Sequence, residues 1–191
     1  MKNIKLLNNV LPIIFDNKRL TLISFNDIEW YISNCRKAYY EEYLDFKFSK
    51  DITKDKLRET LYNLVVSYRL NIKSYGEARL LLRDIYNNEI YGGCTIFERE
   101  NSTIEIAYFI IPKYQGKGIG KKMLFNLCKA LANSSIQFNK ITLIIRYDNY
   151  NSLALAKSVG FKKLSEFQGK YKKNIIMYIS KDSLNDSQQV W

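Results

Sequence analysis

Residues 108–124 read YFIIPKYQGKGIGKKML, a Gly-rich turn set between an apolar strand and an amphipathic helix. Gly116, Gly118 and Gly120 alternate. Glycine reaches positive φ without steric cost and lets a ligand approach the backbone closely. The helix that follows runs to about Ala132, with Ile119, Met123, Leu124, Leu127, Cys128 and Leu131 on one face. Its start presents unpaired N–H groups and the positive end of the dipole. Together these suit a phosphate or pyrophosphate, and Lys117, Lys121 and Lys122 add charge. A P-loop does not fit: the Gly116–Gly120 gap is one residue short and no hydroxyl follows Lys121. The dinucleotide fingerprint fails too, because position 121 is lysine and no N-terminal parallel strand precedes the loop. Alone, the run is either an anion site or a tight turn with no ligand.

Working outward, Arg79–Tyr86, Ile90–Glu98 and Thr103–Ile110 read as three strands of an antiparallel meander. Asn87-Asn88 and Glu100-Asn101-Ser102 are their turns. Upstream, Arg19–Ser24 alternates as a strand. Ile28, Tyr31, Ile32, Cys35 and Tyr39 recur at helical spacing, with Asn26 or Asp27 as N-cap, and Leu57, Leu61, Leu64, Val65 and Tyr68 form a second stripe capped by Thr53. Downstream, Lys140–Arg146 (KITLIIR) reads as a strand buried on both sides. A short helix over Asn151–Val159 stops at Gly160, and strands follow near Lys162–Glu166 and Ile175–Ser180. The order is strand, two helices, three strands, helix, strand, helix, two strands: a mixed α/β sheet with helices on it. No repeat or linker interrupts it, so one domain is expected over residues 1–191, with a frayed tail from Asp182.

The chain has no histidine, which excludes a Ser-His or Cys-His nucleophile. Cys35, Cys94 and Cys128 are far apart, with no C-x-x-C pair, so no zinc site is expected. Cys35 and Cys128 fall on apolar stripes and read as core thiols of a reducing compartment. Lys2 and Lys5 precede a short apolar stretch that Asn8, Asn9 and Pro12 break, with no small-residue cleavage site after it. No run approaches transmembrane length. A soluble, cytoplasmic protein is expected, without a membrane partner and as a monomer or homodimer. The net charge of +11 has three readings: a solvated surface, attraction of an anionic cofactor or substrate, or binding to nucleic acid or a ribosome. The patches Lys162-Lys163 and Lys170, Lys172-Lys173 are short for a nucleic-acid arm.

Gln115-x-x-Gly118-x-Gly120 resembles the acetyl-CoA loop of the GNAT N-acetyltransferase superfamily, with Pro112 three residues before the Gln as is common there. A second block agrees. Asn149-Tyr-Asn-Ser152-Leu-Ala-Leu-Ala-Lys157-Ser-Val-Gly160-Phe161 is similar to the family's N-x-x-S/A…K-x-G-F segment, at the right separation. The Asn149…Ser152 form, Arg19-Leu-Thr-Leu and Glu105-Ile-Ala-Tyr108 resemble the Rim-type branch, which includes ribosomal-protein N-terminal acetyltransferases. The resemblance implies a mostly antiparallel sheet of six to seven strands flanked by about four helices. It also implies an enzyme that moves an acetyl group from acetyl-CoA to a primary amine, on a protein N-terminus or a small molecule, without a metal. Two alternatives stand beside it: a CoA-binding regulatory module with weak catalysis, and a ribosome- or RNA-associated acetyltransferase.

By the resemblance, backbone N–H groups of Gln115, Gly116, Lys117, Gly118, Ile119, Gly120 and Lys121 hold the pyrophosphate. The pantetheine arm lies as an added strand beside Phe109, Ile110 and Ile111, with N–H groups near Ile110 or Ile111 polarising the thioester carbonyl. Glu105 is the candidate general base, direct or through water; a salt-bridged strand carboxylate is the plainer alternative. Many relatives carry a tyrosine that protonates the leaving thiolate, but Ala156 stands there in this chain. Asn149 and Ser152 are then expected at the cofactor, with Ser152 a candidate donor to the thiolate or simply a first-turn helix residue. Tyr147 and Tyr150 are nearby. The acceptor is expected near Tyr39, Tyr40, Tyr43, Phe46 and Phe48, with Glu41, Glu42 and Asp45 available to attract an amine.

Overall fold

A computed structural model describes residues 4–35, 53–70, 76–169 and 172–186. The chain forms two compact units, one of residues 23–75 and one of residues 1–22 with 76–191.

In the smaller unit, a 3-10 turn (Phe25–Asp27) leads into helix α1 (Ile28–Cys35), and helix α2 spans Lys54–Leu70. The cap differs from the expected Asn26 or Asp27 start. Ser24 begins the turn, and its backbone N–H and its hydroxyl both bond to Asp27 Oδ2, at 2.8 and 2.7 Å. Asp27 therefore acts from inside the element as the partner of a capping box. Thr53 caps α2 as expected, accepting from Lys56 N–H at 3.2 Å. Leu57, Leu61, Leu64 and Val65 are buried, the outcome that a period of 3.6 dictates. Arg58 ties the two helices through Glu29. The aromatic residues 39–48, the carboxylates among them and the side chain of Cys35 lie outside the described residues.

The larger unit carries an eight-stranded sheet in the order β1-β2-β3-β4-β5-β6-β8-β7. The strands are β1 (Ile13–Phe15), β2 (Lys18–Leu22), β3 (Glu77–Asp84), β4 (Ile90–Arg99), β5 (Thr103–Ile110), β6 (Lys140–Arg146), β7 (Lys162–Gln168) and β8 (Lys173–Ser180). All neighbours are antiparallel except β5 and β6. The sheet exceeds the expected six to seven strands by β1, a three-residue element too short to show a period. The meander β3–β4–β5 forms as read. Asp84 closes its first turn by accepting from Tyr86 and Asn87 N–H, and Asn101 and Ser102 turn its second with φ of 55° and 52°.

Three helices complete this unit: α3 (Ile119–Ala132), α4 (Tyr150–Ser158) and α5 (Lys181–Asp186). The stripe of α3 is fully buried at Met123, Leu124, Leu127, Cys128 and Leu131, and α3 packs on β1, β5 and α4. Each such side chain contributes about 1.5–3 kcal/mol on burial. Burial pushes the thiols of Cys94 and Cys128 far up in pKa. Helix α5 replaces the first residues of the expected frayed tail, because Leu184 is buried and its carbonyl accepts from Lys129 Nζ at 2.9 Å. Strand β6 is not buried on both sides throughout: Ile144 is 43% exposed. Among the described residues, no helix is long and apolar enough to cross a membrane.

Candidate active site

The parallel ladder between β5 and β6 has only three residue pairs: Thr103↔Lys140, Ile104↔Ile141 and Glu105↔Thr142. Beyond Glu105 the strands part, although β5 continues to Ile110 and β6 to Arg146. On its other side β5 stays paired with β4 through Gly92↔Ile110. Ile111 donates its N–H to Tyr91 O at 2.9 Å. Antiparallel ladders alternate the direction of their polar groups, so Ile111, Phe109 and Ala107 face β4. Ile106, Tyr108 and Ile110 turn their N–H and C=O groups toward the gap.

This corrects the expected backbone set. Phe109 turns its backbone groups toward β4, while Ile111 gives its N–H to Tyr91 O and accepts at its C=O from Tyr114 N–H, so that N–H is unavailable to a thioester carbonyl. Ile110 does face the gap, but Gln115 Nε2 donates to its C=O at 2.9 Å. The side chain of the motif glutamine thus satisfies the last carbonyl of the open strand edge. Gly92 and Gly93 allow the close approach on the β4 side. A Cβ on Gly92 would sit 2.3 Å from Phe109 O, and one on Gly93 2.4 Å from Leu80 O.

The Gly-rich loop follows directly. Pro112–Tyr114 forms a 3-10 turn held to β4, with Lys113 and Tyr114 both bonded to Glu89 and the Tyr114 ring edge-on to Tyr91 at 4.6 Å. The Lys113 ammonium, and then Tyr114, hold the Glu89 carboxyl below its ordinary pKa. Gly116 and Gly118 have φ of +74° and +73°, with open space where a Cβ would stand. Their requirement is conformational. Gly120 differs: a Cβ there would lie 2.8 Å from Leu155 Cδ1 and 3.2 Å from Ile110 Cγ1, so it seats α3 against α4 and β5. Gly118 is the N-cap of α3 and no side chain caps that helix. The first intrahelical bond runs from Lys122 N–H to Gly118 O, so the N–H groups of Ile119 and Gly120 point out of the helix start as an anion cradle. Lys117 is exposed and lies over the Tyr114 ring at 5.7 Å. Lys122 is bonded to Asp16 at 2.9 Å, so its charge is partly spent.

Glu105 sits at the vertex where the strands part, about 17 Å along β5 from Ile110 at ~3.3 Å per residue. Arg99 grips it with two bonds of 3.0 Å. Across the gap, Asn149 caps α4, accepting from Ser152 N–H at 3.1 Å. Its carbonyl oxygen is thereby committed to the helix start. The Ser152 hydroxyl lies 2.7 Å from the Tyr108 hydroxyl. Nothing along the chain marks Tyr108 as the partner of Ser152. An apolar-looking strand position gave no sign that its side chain reaches the first turn of α4. Burial pushes the Tyr108 phenol up to about 12, with the Ser152 bond pulling the other way, so it remains protonated near neutrality. Tyr147 and Tyr150 are exposed at 53% and 68%, and Ala156 is fully buried.

The acetyltransferase (GNAT) family model matches residues 36–161, two thirds of the chain and both sides of the gap. The chain belongs to the GNAT acetyltransferase family. Solved structures share the fold of this GNAT acetyltransferase. Spermidine N-acetyltransferase from Vibrio cholerae, in complex with CoA and spermine, is 18% identical, with a TM-score of 0.73 over 88% of this chain and 98% of that one. A ribosomal L7/L12 alpha-N-protein acetyltransferase in complex with coenzyme A is 16% identical, with a TM-score of 0.73 over 91% and 98%. The aminoglycoside acetyltransferase AAC(6')-Ib, with coenzyme A, is 14% identical, with a TM-score of 0.71 over 90% and 99%. No curated protein matches the sequence at a significant level.

Proposed function

We propose that this GNAT acetyltransferase moves the acetyl group of acetyl-CoA to a primary amine, a protein N-terminus or a small-molecule amine, with both substrates held at once. The observation that carries the reading is the opening between β5 and β6 beside an uncapped, Gly-flanked helix start. The helix start suits the pyrophosphate of acetyl-CoA, in the cradle from Gln115 to Lys121. The edge groups of Ile106 and Tyr108 and the N–H of Ile110 suit the amide-bearing arm, which would pair as an added strand. The N–H of Tyr108 or Ile110 then meets the thioester oxygen. Holding both reactants in one geometry supplies much of the rate gain. Glu105 takes the amine proton through a chain of waters, since it lies about 10 Å along β5 from Tyr108 at ~3.3 Å per residue, and Arg99 fixes its carboxylate at the vertex. Ser152 faces the departing sulfur, and Asn149 orients Ser152 rather than touching the cofactor.

Neighbours of this fold act on polyamine, ribosomal-protein and aminoglycoside amines by their names. The Asn149…Ser152 block favours the Rim-type branch among these. We place the enzyme in the cytoplasm, on the buried free thiols of Cys94 and Cys128, and read the chain as one domain because the family match runs through both units. A ribosome- or RNA-bound role finds less support. Lys163 and Lys173 are paired with Glu166, and Lys172 with Asp148, which offsets part of the charge of those patches.

Thiol release from acetyl-CoA, followed with an alanine-initiated peptide, spermidine and an aminoglycoside, tests the reading. Amine-dependent release is expected with at least one of them. Tight CoA binding with no release for any amine favours the regulatory module instead. Steep salt-dependent RNA binding would revive the third reading.

A further inference from the structure

Two hydroxyls meet where the sheet opens. Tyr108 lies on the gap-facing register of β5, and its side chain crosses to α4. Its oxygen is 2.7 Å from Ser152 Oγ and 3.3 Å from Ser152 O. The shorter contact has the length of a good O–H···O bond; the longer one does not. Ser152 is fixed a second time through its N–H, by Asn149 Oδ1 at 3.1 Å. Ser152 is therefore anchored at its backbone by the cap of α4 and at its hydroxyl by Tyr108 of β5.

One hydrogen is shared between the two oxygens, and one hydrogen is left over. A phenol is a stronger acid than an aliphatic alcohol, so Tyr108 donates and Ser152 Oγ accepts. That direction leaves the Ser152 hydrogen to point elsewhere. A hydroxyl that accepts one bond while donating another is the better donor, because linked hydrogen bonds polarise one another. If the roles were reversed, Ser152 would be turned back onto Tyr108 and would offer the cleft nothing.

We propose that Tyr108 is a positioning residue for thioester cleavage: it orients and polarises the Ser152 hydroxyl so that this hydroxyl donates to the departing sulfur of coenzyme A. This rests on the assignment of acetyl-CoA to the β5–β6 opening. As the amine nitrogen bonds to the acetyl carbon and the C–S bond breaks, negative charge gathers on sulfur, and the Ser152 O–H bond to it strengthens. The amine proton leaves by Glu105 or water. The thiolate takes a proton from water after release, and both hydroxyls keep theirs. The arrangement accounts for a chain of this family that has Ala156 where many relatives have a tyrosine: the phenol enters from β5 and works through a serine.

The test uses the full-length enzyme, acetyl-CoA, and the better of spermidine and an alanine-initiated peptide as acceptor. Tyr108→Phe, Ser152→Ala and the double variant are compared by steady-state kinetics, with CoA affinity measured by calorimetry as the check on folding. Tyr108→Phe is expected to lower kcat about tenfold, near 1.4 kcal/mol, while KM for acetyl-CoA and the Kd for CoA stay within about twofold. In the Ser152→Ala background the same change is expected to do nothing further, because the residue acts through Ser152. Independent, multiplying losses in the double variant would mean that Tyr108 only supports the fold, and would overturn the inference, as would an unchanged kcat in Tyr108→Phe. Those outcomes leave the acetyltransferase assignment standing. Absence of turnover by the parent enzyme with CoA still bound overturns both.

Discussion

Replacing Gly118 by alanine isolates a single physical cost. The residue sits at φ +73°, and a Cβ there meets nothing within 4 Å. No clash can contribute. What remains is the left-handed backbone, which costs an L-residue roughly 1–2 kcal/mol, less about 0.5 kcal/mol recovered because alanine narrows the unfolded ensemble. The net loss is about 1 kcal/mol, or a fall of roughly 2–4 °C in Tm for a chain of this size. Asparagine tolerates the same backbone better through its short polar side chain, so Gly118→Asn is expected to lose less than half as much. Gly120→Ala is the contrast. Its backbone is not left-handed, but its Cβ would press on Leu155 and Ile110, and overpacking of this kind costs about 1–3 kcal/mol. Thermal melts of the three variants decide the matter. A Gly118→Ala protein as stable as the parent, or an asparagine variant worse than the alanine one, refutes the conformational argument, since the first denies the strain and the second points to bulk.

Three further outcomes follow from the site and its supports. Glu105→Gln is expected to lower kcat about 100-fold, in the range of a lost general base, as read from initial rates at saturating substrates; Arg99→Met, which leaves the carboxylate in place, is expected to do much less. Asn149→Ala removes the α4 cap, lowers stability by about 1 kcal/mol and reduces kcat by loosening Ser152, with melts and initial rates as the paired readout. Glu166 is held down to about 2 from 4.5 by Lys163 and then Lys173. Its folded pKa lies below its unfolded one, so its contribution is fully present above pH 4.5 and is lost as the pH falls toward 2. In Glu166→Gln, Tm should vary less across that window, and added salt should shrink the difference between the two proteins at neutral pH.

Much of this was legible because it was local. The 3.6 period of Ile119 to Leu131 and the alternation of Thr103–Ile110 fix their own elements, and Gly116 and Gly118 announce a backbone that other residues resist. Thr53 and Gly160 mark ends by chemistry confined to a few residues. What escaped was set by partners distant in sequence. Tyr108 and Ser152 are 44 residues apart, and no pattern along the chain joins them. The direction of each β5 backbone group depends on the register with β4, so of Phe109, Ile110 and Ile111 only Ile110 turns its backbone groups toward the gap. The extra strand β1 and helix α5 are short pieces whose residues carry weak preferences and are held by tertiary contacts at Ile13, Phe15 and Leu184.

The three-pair ladder between β5 and β6 has a mechanical side. Seven pairs join β6 to β8, and eight join β4 to β5; apart from the three-residue edge strand β1, which also makes three pairs, the shortest ladder of the sheet is this one, and it runs beside the cleft. Strands β1–β5 lie on one side of it and β6–β8 on the other. A molecule that laid its own amides along β5 and touched Ser152 on α4 would stitch the two sides together, and its occupancy would be written in the cooperativity of melting as well as in the midpoint. Under the proposed reading the substrate would also be a structural part, a strand delivered from solution and withdrawn at every turnover.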